Sequence, residues 1–169
     1  MKHIMDQNEF NLNNKLITTP FAQQVVFNIE QLNYRFEKLQ TIDTHIKQNQ
    51  NEYLMVFDSF LVLFRAIFLE NGNKQFSIQN YYNEKGEPEI AQSINDFLDS
   101  KVFEWQEITI RNVLKFLADK LICHVDSISF DELATANFYM SHLSNPAVKT
   151  NLQYIMNELN KIIKQPSRL

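Results

Sequence analysis

The sequence predicts an all-α fold, a single-domain bundle of about six helices, and three observations lead there. Only 2 of the 169 residues are glycine and 4 are proline, so the chain has few of the residues that tight hairpins and phosphate-cradling loops require. Apolar residues recur at steps of three and four through most of the chain, which is the period of an amphipathic helix. The 14 phenylalanines supply large rings to fill the space between helices. No run alternates convincingly enough to read as a strand.

Residues 1–18 form a polar, Asn-rich lead-in, and residues 19–169 form the bundle domain. Thr19-Pro20 opens the first helix, because proline suits the first helical turn. From about Phe21 to Asn49 one stripe runs through Val25, Ile29, Leu32, Phe36, Leu39, Ile42 and Ile46. A second helix is expected from about Glu52 to Glu70, stopping at Asn71-Gly72-Asn73, a turn with a left-handed glycine cap. Its core, YLMVFDSFLVLFRAIFLE, is apolar enough to suggest a membrane span. Asp58 and Arg65 interrupt it, however, and each would cost about 2.5–3.5 kcal/mol at a bilayer centre. A central bundle helix is the simpler reading.

Lys74–Pro88 reads as a short connection whose Phe76, Ile78, Tyr81 and Tyr82 pack down, followed by the turn signal Glu84-Lys85-Gly86-Glu87-Pro88. A third helix follows over about Pro88–Asp99. The fourth, about Thr109–Val125, carries Ile110, Leu114, Leu117, Leu121 and His124 on one face. Ser129 and Glu132 form a capping-box pair that opens a fifth helix, ending near Leu143. Asn145-Pro146 starts the last, which runs through Leu152, Ile155, Leu159, Ile162 and Ile163 into a basic tail.

A net charge of −4 and a pI near 5.6 argue against a surface coated for sequence-independent nucleic-acid binding, though not against a local basic patch. The single cysteine forms no internal disulfide and suits a reducing, cytoplasmic location. The N-terminus lacks the apolar stretch and small-residue cleavage site of a secretory leader. His3, His45, His124 and His142 are scattered, without zinc-ligand spacing, so neither metal nor cofactor is expected. Cys123 and His124 adjoin in sequence but point about 100° apart on a helix, which makes no nucleophile–base pair. Asp58 and Arg65 lie two turns apart on one face, too far for a direct pair unless the arginine leans back. Each is expected to meet a partner on another helix.

The richest stretch is Ala118-Asp119-Lys120-Leu121-Ile122-Cys123-His124-Val125-Asp126. Helical spacing makes Lys120 and His124 neighbours, and a histidine at a helix C-terminus is favoured by the macrodipole in any case. The stretch resembles the signature of the HEPN superfamily, small helical proteins in which an arginine, a polar residue and then a histidine lie on one helix. Asp119 matches the polar position and His124 the histidine. Phe60–Asn83 resembles the earlier helix and loop of several such families, and His124-Val125-Asp126 is similar to an ending common in their abortive-infection-like branch. The resemblance spans about Glu52–Asp126.

That resemblance implies a homodimer whose paired motif helices form a metal-independent ribonuclease site. His124 would move protons around the RNA 2′-hydroxyl, with Asp119 and Lys120 beside it as the other candidate catalytic residues. It also implies a toxin–antitoxin or phage-defence setting, with RNA or a protein as partner. Ala118, however, stands where the arginine belongs, and losing one preorganised charge could remove roughly 3–4 kcal/mol of transition-state stabilisation. Three explanations stay open. The chain is a non-catalytic relative; or Lys120, Arg111 or Arg65 supplies the charge; or the alanine was introduced to silence a toxic enzyme. Two functions follow. One is a degenerate HEPN-like protein acting through dimerisation or partner binding, and the other is an endoribonuclease using His124 at a dimer interface.

Overall fold

The computed structural model describes residues 19–70, 76–102, 107–123 and 128–164. Among these, seven α-helices and two π-helical turns make a helical bundle, and the only pairing of extended backbone is one isolated bridge, Lys101 with Thr109. No helix among the described residues is long and apolar enough to cross a membrane.

Helix α1, Pro20–Thr41, begins where Thr19 accepts a hydrogen bond from the Ala22 amide, with Pro20 in the first turn. It buries Val25, Ile29, Leu32, Phe36 and Leu39, the stripe the spacing marks. The helix stops eight residues before the expected Asn49. Ile42 is extended, the Asp43 carboxylate accepts from the His45 amide, and Asn49 donates to the Asp43 carbonyl. Asp43 thus offers the backbone a local alternative to helix, as short polar side chains do.

Helix α2, Lys47–Phe64, therefore begins earlier than the sequence suggests and passes into the π-helical turn Arg65–Leu69. Its phenylalanines form a ladder through the core. Phe57–Phe60, Phe60–Phe64 and Phe64–Phe68 have ring centroids 6.3, 5.8 and 4.9 Å apart, and Phe36 of α1 joins at 6.3 Å from Phe60. Such offset or tilted pairs add modestly to the area they bury. The proposed turn at Asn71-Gly72-Asn73 lies outside the described residues.

The connection after it holds a helix that the spacing did not mark: α3, Ile78–Glu84, capped by Ser77. Ile78, Tyr81 and Tyr82 are buried, as their apolar bulk predicts. Seven residues are too few for a periodic signal, so tertiary burial rather than amphipathic pattern decides the helix. Gly86, at φ 77°, makes the turn into α4, Pro88–Leu98. Helix α5, Ile110–Leu117, is capped by Thr109 and buries Ile110, Val113, Leu114 and Leu117 before widening into the π-helical turn Ala118–Cys123.

Helix α6, Phe130–Ser144, opens on the predicted capping box of Ser129 and Glu132. Helix α7 spans Leu152–Lys164, not Asn145 onward. Asn145 ends α6 in extended conformation and its side chain accepts from the Ala147 amide, so Asn145-Pro146 builds a turn. The Tyr82 hydroxyl donates to the Ile163 carbonyl at 3.0 Å, tying α3 to the end of α7.

Candidate functional site

Two helices change pitch where they meet: the π-helical turn Ala118–Cys123 packs against α2, and Arg65–Leu69 packs against α5. A π-helical turn bonds i to i+5, which shifts the side-chain register and leaves backbone groups needing other partners. The Phe68 carbonyl finds them in Gln79 Nε2, at 2.9 Å, and Arg111 Nη1, at 3.5 Å. Arg111 is itself held by Asp99, at 2.7 Å, and by Asn95, at 2.9 Å. It braces α4 and the end of the first π-helical turn rather than facing the second.

Arg65 bridges the two turns. Its Nη1 donates to Asp119, while its Nε donates to Glu70 Oε1 at 2.7 Å. The expectation that Arg65 meets a partner on another helix is met by Asp119. Asp58 meets no hydrogen-bonding or ionic partner among the described residues, and its half-burial pushes its carboxyl pKa up.

Lys120 turns away from this pair. Its ammonium contacts Glu132 at 2.5 Å across to the first turn of α6. The other Glu132 oxygen accepts from the Ser129 amide at 2.9 Å, completing the capping box. The Lys120 hydrogen bond first, then those from Ser129, hold the Glu132 carboxyl down to about 2. Two cations, Arg65 and Lys120, thus lie among three carboxylates, Glu70, Asp119 and Glu132. Each cation is engaged by at least one of them.

Ala118 is 2% exposed and belongs to the apolar core. The candidate residues Asp119 and Lys120 follow it in sequence but serve different partners, and His124 lies outside the described residues, as does Asp126. The sequence reading missed Glu70 as a partner for Arg65. Their spacing of five residues makes an intrahelical pair only where the helix has widened, and nothing in the local sequence announces that widening.

A concavity of about 990 Å³ lies elsewhere, between the end of α1, the start of α2 and the α6–α7 connection. Phe36, Leu39, Tyr53, Leu54, Met140 and Leu143 line it, with amide side chains such as Gln40 and Gln153 at its edge. Its lining carries the hydroxyls of Thr44, Tyr53, Ser141 and Ser144 but no charged side chain or imidazole that would activate them as nucleophiles. Among the described residues no group of three or more His, Cys, Asp or Glu side chains is placed to hold a metal. No protein-family model, curated protein or solved structure matches the chain.

Proposed function

We propose that this protein is a HEPN-like helical protein without catalytic power, acting through self-association or partner binding in a prokaryotic defence or toxin–antitoxin setting. The observation that carries the reading is the electrostatic state of the motif turn. A ribonuclease site needs preorganised positive charge aimed at a phosphoryl group. Here the arginine position is a core alanine, and Arg65 and Lys120 are each committed to carboxylates. Three carboxylates around two cations repel a phosphate more than they attract it.

A surface for binding supports the other half of the reading. The outer face of α6 carries Phe130, 85% exposed, with Leu133 and Phe138 also exposed and no charge from Leu133 to the helix end except the half-buried His142. Burial of that His142 lowers its pKa, which disfavours its charged form. Past the exposed Asp131 of the first turn, a face that exposes Leu133 and Phe138 without lysine, arginine or carboxylate is what a docking helix presents.

One observation favours the alternative, a metal-independent endoribonuclease. Arg65 sits beside Asp119, so a cation does reach the motif turn from α2. The test is RNA integrity with purified protein, comparing the native chain with His124→Ala and Arg65→Ala. Intact RNA with all three supports the non-catalytic reading. Cleavage by the native chain that is lost in His124→Ala overturns it.

A further inference from the structure

We propose that the solvent face of α2 is a seam for a second copy of this chain, packed antiparallel about a two-fold axis, with Lys47 of each copy opposite Asp58 of the other. The proposal rests on the self-association reading above and specifies the surface. Lys47, Asn51, Leu54 and Asp58 are spaced four, three and four residues apart, so they fall within a narrow arc of the helix. That is the a/d spacing of a coiled-coil seam. Leu54 is 50% exposed and Met55 beside it 73%, while the buried face of the same helix is made by Phe57, Phe60, Leu61 and Phe64. Leu54 also lines the concavity between α1, α2 and the α6–α7 connection, so the seam runs along the exposed flank of α2 beside that concavity.

Charge identifies the occupant. Asp58 is a half-buried carboxylate with no hydrogen bond or ion pair among the described residues. Removing a carboxylate from water without a partner is unfavourable. Lys47, exposed at the first position of α2, likewise has no ionic partner among the described residues. They are the two ends of a face about 16 Å long. A two-fold axis perpendicular to the helix, midway between them, places each lysine over the partner's aspartate. The same operation places Asn51 over Leu54. A two-fold interface must be self-complementary in this way, residue i to j and j to i. The exposed hydrophobics of α6 carry no comparable signature, because that helix has carboxylates in its first turn but no lysine or arginine with which a second copy could answer them.

Ion pairs at such a rim fix register more than they add affinity, so charge reversal with rescue is the fitting test. Sedimentation of the full chain at up to about 100 µM would be compared for the native protein, Lys47→Asp, Asp58→Lys and the double reversal; weak interfaces call for such concentrations. A fourth variant, Leu54→Glu, sets two like charges near the centre of the seam. Circular dichroism confirms that each variant is folded. The expected result is a native dimer whose dissociation constant rises about tenfold or more in each single reversal and in Leu54→Glu, and returns in the double reversal. A native dimer indifferent to all four changes overturns the seam and leaves the self-association reading standing. Weakening by the single reversals without rescue overturns the Lys47–Asp58 register. A native monomer throughout overturns both the seam and self-association.

Discussion

Arg65 and Asp119 join the two π-helical turns, one at the end of α2 and the other following α5, through a guanidinium that also holds Glu70. The pair is partly exposed on both sides, so its own coupling is modest, about 1 kcal/mol or less. The three groups are not equivalent, however. Asp119→Ala leaves Arg65 with Glu70, whereas Arg65→Ala leaves two carboxylates facing each other with no cation between them. Urea denaturation is expected to give a smaller loss for Asp119→Ala than for Arg65→Ala, with the latter about 1–2 kcal/mol. Equal losses would mean that Glu70 does not share the arginine.

Ala118 separates packing from chemistry. Its Cβ belongs to the apolar core, so a larger side chain there must displace neighbours. Ala118→Leu is expected to cost about 1–3 kcal/mol by overpacking. Ala118→Arg also buries a charge without a partner, and is expected to cost more than about 3 kcal/mol or to abolish cooperative unfolding. A melting temperature for Ala118→Arg equal to that of the native chain would show that residue 118 has a route to solvent.

Much of the bundle was legible because its helices carry strong stripes. Val25 to Leu39, Ile110 to Leu117, and Leu152, Ile155, Leu159 and Ile163 are buried where the spacing places them, with Ile162 partly buried. Two short elements were not. The break at Asp43 and the helix Ile78–Glu84 depend on local side-chain hydrogen bonds and tertiary burial, which periodicity does not report. The candidate site was legible as a set of residues but not as a geometry. Asp119 and Lys120 are adjacent in sequence and so point about 100° apart on a helix, one meeting Arg65 and the other Glu132. Spacing anticipates that divergence but not which neighbouring element supplies each partner, because that is set by tertiary packing.

Acid will unlock the contact between the motif turn and α6. The Glu132 carboxyl, ordinarily near 4.5, is held down to about 2 by Lys120 and then Ser129. A depressed folded-state pKa contributes stability that is present above the unfolded value and lost as pH falls through the folded one. The contribution therefore fades between about pH 4.5 and 2. Glu132→Gln retains the reach of a capping-box residue but removes the charge. The difference in urea midpoint between native protein and Glu132→Gln is expected to be largest above pH 5 and to shrink below pH 4. Added salt should narrow it at neutral pH, since the pair is partly exposed. A difference independent of both pH and salt would assign the effect to capping alone.

Gln79 tests whether the first π-helical turn needs its external cap. Its Nε2 donates to the Phe68 carbonyl and, at 3.3 Å, to Asn95 Oδ1, while among the described residues its Oε1 accepts nothing. Gln79→Leu removes the donor, but Arg111 still contacts both the Phe68 and Asn95 acceptors. The expected loss is therefore only about 1 kcal/mol. Gln79→Glu is harsher at neutral pH, because a buried carboxylate would face two acceptor oxygens with no proton to give. About 2–3 kcal/mol is expected there, and part of it should return in mild acid, when the protonated carboxyl can again donate. Stability is thus expected to rise from pH 7 toward pH 5 in Gln79→Glu relative to Gln79→Leu, read from paired urea titrations. If the two variants keep a constant difference across that range, the residue at 79 does not donate to Phe68, and Arg111 alone caps the turn.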